Sequence, residues 1–138
     1  MKRRVLHVIG TLDVGGAEKL LAGYVDLLPD FEHFIICFQK DGLLAHEIKN
    51  AQIIILPSSP SFSNPSQLVS LAFKLRKQIL SIQPDVVHSH LYWSNILTRF
   101  AKNKSIKLIN SYHSIQYGKK GAAYPIWYKL LDKVTCHK

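Results

Sequence analysis

The sequence predicts an α/β domain built on a doubly wound, mostly parallel sheet, and three observations carry that expectation. Five short runs, Arg4–Ile9, His33–Phe38, Gln52–Leu56, Asp85–His88 and Ile106–Ser111, are rich in Val and Ile. They lack polar alternation, as strands covered on both faces do. Segments of helical spacing separate them, so strand and helix alternate from residue 4 to residue 111. That order is the signature of parallel strands joined by right-handed crossovers.

Each element has its own local cause. Between the first two strands Ala17, Leu20, Leu21, Tyr24, Val25 and Leu28 form an amphipathic stripe that Pro29 stops. Gly42–Asn50 reads as a shorter helix. The next helix starts at Asn64-Pro65, an N-cap followed by proline at the first helical position. Its stripe is Leu68, Leu71, Ala72, Leu75, Ile79 and Ile82, and Pro84 ends it. Leu91–Lys102 continues the alternation, and residues 129–136 read as a helix leading into the start of a further strand. The Pro/Ser-rich stretch 57–65 follows the third strand, at the carboxyl edge where ligands bind in this architecture.

A chain of 138 residues makes one domain, and at that size a core forms without disulfides or metals. With 47% hydrophobic and 20% charged residues it falls outside the disordered classes. The net charge of +9 is uneven: residues 1–100 hold ten basic and eight acidic side chains, whereas residues 101–138 hold eight lysines against Asp132. Lys102, Lys104 and Lys107 read as a solvated helix end and loop, and no nucleic-acid reading motif accompanies them. The segment Tyr117–Tyr128 mixes Lys119 and Lys120 with aromatics, a composition suited to an anionic membrane surface or to an ordinary loop before a helix.

Cys37 and Cys136 make no disulfide framework, which favours a reducing, cytoplasmic setting. No run reaches the roughly 18 apolar residues of a membrane span. The basic start Lys2-Arg3-Arg4 precedes an apolar stretch too short for a signal peptide and interrupted by His7.

Two features carry chemistry. The first strand runs into Gly10-Thr11-Leu12-Asp13-Val14-Gly15-Gly16-Ala17-Glu18 and then a helix. A loop opening a helix offers backbone N–H groups and a positive dipole end to an anion. The dinucleotide fingerprint fails on spacing, and the phosphate-loop pattern lacks its lysine because Gly16-Ala17 stands in that place. The competing explanation is a tight turn that needs glycine for backbone reasons. The second feature is histidine: His88 and His90 follow the fourth strand and His113 the fifth. His88 and His90 share a face in extended chain. Their spacing matches a zinc half-site, with His113 or Asp13 as the third-ligand candidates and no Cys or Glu nearby. The plainer expectation is no metal, with His88 buried and His90 capping the next helix. His113 has a reference pKa near 6.5 and suits a proton-sharing role.

Taken together, Val5–Gly10, Gly15-Gly16-Ala17-Glu18, Pro84-Asp85-Val86-Val87-His88-Ser89-His90 and Leu108–His113 occur in an order and spacing that resembles family 4 glycosyltransferases. The resemblance covers the chain as the N-terminal, Rossmann-like half of a GT-B enzyme. It implies retaining transfer from a nucleotide-sugar donor to a glycan or lipid-linked acceptor, without metal or cofactor. Gly15 and Gly16 would face the donor's phosphate and sugar, and His113 would contact the transferring sugar as the catalytic residue. Asp13, His90, Tyr92 and Asn95 would lie on the acceptor side.

The family's E-x7-E carboxylate pair belongs to its C-terminal, nucleotide-binding half. Here Glu18, Glu32 and Glu47 are followed eight residues on by Asp26, Lys40 and Ile55. The expectation is therefore a single domain over 1–138, incomplete at its C-terminus, without the donor-binding domain and inactive by itself. It would work in polysaccharide synthesis, in the cytoplasm or peripherally on the inner face of the membrane. The alternatives are a non-catalytic binding or regulatory half that pairs with a separate C-terminal subunit, and a metal-dependent hydrolase.

Overall fold

The strands assemble around β1 (Arg3–Ile9), the middle strand of the sheet, whose Leu6, Val8 and Ile9 are fully buried. The computed structural model of the chain describes residues 2–38, 42–60, 63–113 and 126–136. Along it follow α1 (Gly16–Leu27), β2 (Phe31–Cys37), a 3-10 turn (Leu43–His46), β3 (Ala51–Ile55), α2 (Pro65–Ile82), β4 (Val86–His90), α3 (Tyr92–Ala101), β5 (Lys107–Ser111) and α4 (Ile126–Thr135). The sheet order is β3-β2-β1-β4-β5, and every neighbouring pair is parallel. This is the expected doubly wound α/β architecture.

Both sheet faces are covered, which explains why the strands read as continuous apolar runs. Leu6, Val8, Phe34, Ile36 and Val87 pack with Leu71, Leu75 and Ile79 of α2 and Leu97 and Ala101 of α3. On the opposite face Ile9, Ile35 and Cys37 pack with Ala17, Leu21 and Val25 of α1. Each fully buried aliphatic side chain contributes about 1.5–3 kcal/mol. The N-cap of α2 is as expected: the Asn64 carboxamide oxygen accepts from the Gln67 N–H at 3.2 Å. Its other end closes on Gln83 in the left-handed region (φ 52°), directly before Pro84.

Four expectations need correction. Gly42–Asn50 is only a 3-10 turn over Leu43–His46, because it has just Leu44 and Ile48 to bury. The fourth strand runs to His90, since Ser89 and His90 pair with Asn110 and Ser111 of β5. His90 therefore lies inside the strand and does not cap α3; Leu91 occupies that position with no side-chain cap. Residues 129–136 do not start a strand, as α4 continues through Thr135. Among the described residues no helix is long and apolar enough to cross a membrane. The Lys/aromatic segment before Ile126 lies outside the described residues.

Candidate functional site

Strand order reverses between β1 and β4, and the crevice at the carboxyl ends of these two strands is where this architecture binds ligands. Three connections meet at that edge: the glycine loop after β1, Leu91 after β4 and Tyr112-His113 after β5.

The glycine loop leads directly to the head of α1, with Gly15 as N-cap and Gly16 as first helical residue. Neither glycine is required by backbone conformation, because no described glycine has positive φ. A side chain at Gly15 would run into the Glu18 carboxylate, which lies against it at the first turn. A Cβ at Gly16 would meet nothing within 4 Å, so that position faces open space. Asp13 and Gly16 are exposed on this edge. The head of α1 thus offers backbone N–H groups to an anion, with the Glu18 carboxylate as an internal competitor.

Leu91 has φ 69° and ψ 171°, a region almost reserved for glycine. Two hydrogen bonds hold it there: its N–H donates to the Ser111 carbonyl at 2.9 Å, and its carbonyl accepts from Asn95 N–H at 3.1 Å. A strained residue at the switch point aims the start of α3, and such strain clusters at functional sites.

Behind the edge runs a row of histidines across three strands. The His33 Nε2–H donates to the Leu28 carbonyl at 2.9 Å, so His33 Nδ1 must accept from His7 Nε2–H, 3.3 Å away. His7 Nδ1 in turn accepts from His90 Nε2–H at 3.5 Å, and His90 Nδ1 from His113 Nε2–H at 3.1 Å. With all four rings neutral, that one carbonyl sets their tautomers, and His113 Nδ1 is left as an acceptor with no partner among the described residues. His88 stands beside the row, its ring 4.1 Å from that of His90 and its Nε2 hydrogen-bonded to Ser111 Oγ at 2.7 Å.

Burial disfavours the charged form of three of these rings, His7, His88 and His90. Desolvation, then His88 and His33, lower His7 to about 3. Desolvation, then His88, His7 and His113, lower His90 to about 2. His88 is lowered by burial and by His113.

The expected site residues divide into two groups. Asp13 and Gly16 are exposed and Gly15 and His113 half-buried, whereas His90, Tyr92 and Asn95 are buried behind them. Tyr92 donates to the Tyr128 carbonyl at 3.1 Å, and Asn95 accepts from Ser89 Oγ at 2.7 Å while donating to the Ser111 carbonyl at 3.2 Å. His7 and His33 escaped sequence reasoning because they lie mid-strand in apolar runs. The parallel register that sets His7 opposite His88 is the signal that finds them.

On the far side of α3, Arg99 ties the last elements together. It bridges Asp132 at 2.6 Å, Asn110 at 2.8 Å and Thr135 at 3.0 Å. Burial opposes its charge, but the Asp132 and Tyr112 hydrogen bonds and charges outweigh that and raise its pKa. A groove of about 440 Å³ between α2 and α3 is lined by Val69, Phe73, Trp93 and Phe100. It is almost wholly apolar and lacks the convergent polar groups that hold a sugar.

Comparison with known proteins bears on the fold and the family. No curated protein sequence matches the chain. Among solved structures it resembles CalG4, the calicheamicin glycosyltransferase, at 12% identity and a TM-score of 0.52, covering 97% of this chain and 36% of that one. It also resembles the C-terminal domain of a hydrogenase from Pyrococcus furiosus at 9% identity and a TM-score of 0.51, covering 79% of this chain and 91% of that one. At these identities the two likenesses establish the α/β fold alone. The family model for Glycosyltransferase Family 4 matches residues 14–138, nearly the whole chain, and the chain belongs to that family.

Proposed function

We propose that this domain forms the acceptor-side half of a retaining glycosyltransferase that moves a sugar from a nucleotide-sugar to a glycan or lipid-linked acceptor. The carrying observation is the convergence of the loops after β1, β4 and β5 at the switch point, where His113 is hydrogen-bonded to His90. Gly15 and Gly16 face the donor's phosphate and sugar, since anions favour the head of a helix. Gly16 leaves space for close approach. His113 contacts the transferring sugar through Nδ1, the ring nitrogen turned away from His90. Asp13 meets acceptor hydroxyls directly, while His90, Tyr92 and Asn95 shape the acceptor side from behind through their hydrogen bonds.

A C-terminal domain supplies the nucleotide site and the carboxylate pair that these residues lack, so the domain alone transfers little sugar. The chain spans 36% of the length of the calicheamicin glycosyltransferase it resembles. The test is a titration of nucleotide-sugars onto the chain with and without a C-terminal domain from the same family, followed by product analysis. Transfer is expected only when both are present and is expected to fall at least ~100-fold with His113→Ala. Steady transfer by the 138-residue chain alone would refute the two-part reading.

A further inference from the structure

We propose that His7, His88 and His90 form a binding site for a zinc-class divalent cation, directly behind the sugar-facing edge. One ring nitrogen from each of the three lies within 4.8 Å of those of the other two. Two strands supply them: His7 from the middle of β1, and His88 and His90 from the same face of β4. Neighbouring strands hold these positions rigidly, which suits a preorganised ligand set.

One distance in the cluster suits a metal as well as a hydrogen bond. His7 Nδ1 and His90 Nε2 are 3.5 Å apart, long for an N–H···N bond. Two ligands of tetrahedral zinc at Zn–N distances of about 2.0–2.1 Å lie roughly 3.4 Å apart. The pair is thus spaced to share an ion with almost no movement. His88 swings inward to complete the set, and its half-buried position provides the entry path.

Every ligand has a partner on its other ring nitrogen, as ligating histidines ordinarily do. His7 Nε2–H donates to His33, which is anchored on the Leu28 carbonyl. His88 Nε2 is held by Ser111 Oγ. His90 Nδ1 faces His113 Nε2 at 3.1 Å. On metal binding His90 moves its proton from Nε2 to Nδ1 and donates to His113, whose own proton shifts to Nδ1. No proton is gained or lost. Three imidazoles with no thiolate select zinc, cobalt or copper over magnesium or calcium. A fourth position remains for water.

The sequence-level candidates for a third ligand, His113 and Asp13, are not the ones that complete this cluster; His7 is. The proposal does not depend on sugar transfer, and its failure would leave the family assignment untouched.

The test uses the tag-free 138-residue chain, stripped with a chelator and then titrated with Zn2+ against a chromogenic competitor. One zinc per chain is expected. Co2+ in its place is expected to give the intense visible bands of a four-coordinate ion. Because replacing buried His7 or His90 threatens the sheet, the diagnostic variant is His88→Ala, with folding checked by circular dichroism. Loss of a residue that only hydrogen-bonds a ligand weakens metal sites about 10–100-fold, so loss of this ligand is expected to weaken zinc at least ~100-fold. His46→Ala, an exposed histidine outside the cluster, is expected to change nothing. Absence of stoichiometric zinc, a weak six-coordinate cobalt spectrum, or unchanged affinity in folded His88→Ala would each overturn the proposal.

Discussion

Lowering the pH from 7.5 to 5 should destabilise this domain far more than its carboxylates explain. His7 and His90 are 2% and 0% exposed. Burial and neighbouring histidines lower their pKa values to about 3 and about 2 in the folded chain. In the unfolded chain histidine titrates near 6.5. Both folded values are depressed, so below pH 6.5 the unfolded state binds more protons. The stability these residues contribute is complete above that pH and is lost as pH falls toward 3. Each pH unit below 6.5 costs about 1.4 kcal/mol per histidine, so at pH 5 the pair costs about 4 kcal/mol. That is a large part of the ~5–15 kcal/mol typical of a domain. His88 adds in the same direction. The assay is urea unfolding followed by circular dichroism at several pH values in chelator-treated buffer. Unfolding at pH 5 should take up about two protons, and His90→Asn should remove about one of them. Equal stability at pH 7.5 and 5 would refute the reading that these rings are buried and neutral.

Three further outcomes are expected. Arg99→Met should destabilise by about 3–5 kcal/mol in urea, because it removes the charged partner of the largely buried Asp132 carboxylate and leaves it the Tyr112 hydroxyl; a loss under ~1 kcal/mol would show that α4 does not rest on this pair. Leu91→Gly should be more stable than Leu91→Ala by about 1 kcal/mol, since strain worth about 1–3 kcal/mol at φ 69° is relieved against about 0.5–1 kcal/mol of glycine entropy. The usual order, alanine above glycine, would remove the strain from the switch point. Salt-sensitive sedimentation with anionic vesicles should weaken with Lys119→Glu/Lys120→Glu, and equal binding to neutral vesicles would dismiss an anionic membrane surface.

Strands and long helices were legible because their signals are local. Val/Ile runs, the Asn64-Pro65 start and Pro84 each act within a few residues, and all five strands and α2 follow from them. Boundaries slipped where pairing decided: nothing in Ser89-His90 announces a strand, yet β5 extends β4 through both. The apolar content around Gly42 was too small to sustain an α-helix, which periodicity alone does not weigh. At the site, the glycine loop and His88, His90 and His113 were visible as motifs. The histidine row was not, because His7 and His33 are separated from His90 in sequence and meet it only through the β1–β4 and β1–β2 register. The strain at Leu91 has no sequence signal at all, since leucine is an ordinary residue at that place until its φ is known.

The most direct test of the sugar-facing edge is amide chemical-shift mapping of the labelled chain, mixed with a C-terminal family domain and a nucleotide-sugar. Shifts that appear only with the sugar are expected at Asp13, Gly15, Gly16 and His113, with smaller ones at His90 and Asn95 behind them. Sugar-dependent shifts confined to the apolar groove at Phe73 and Phe100, with the switch-point loops unmoved, would contradict it.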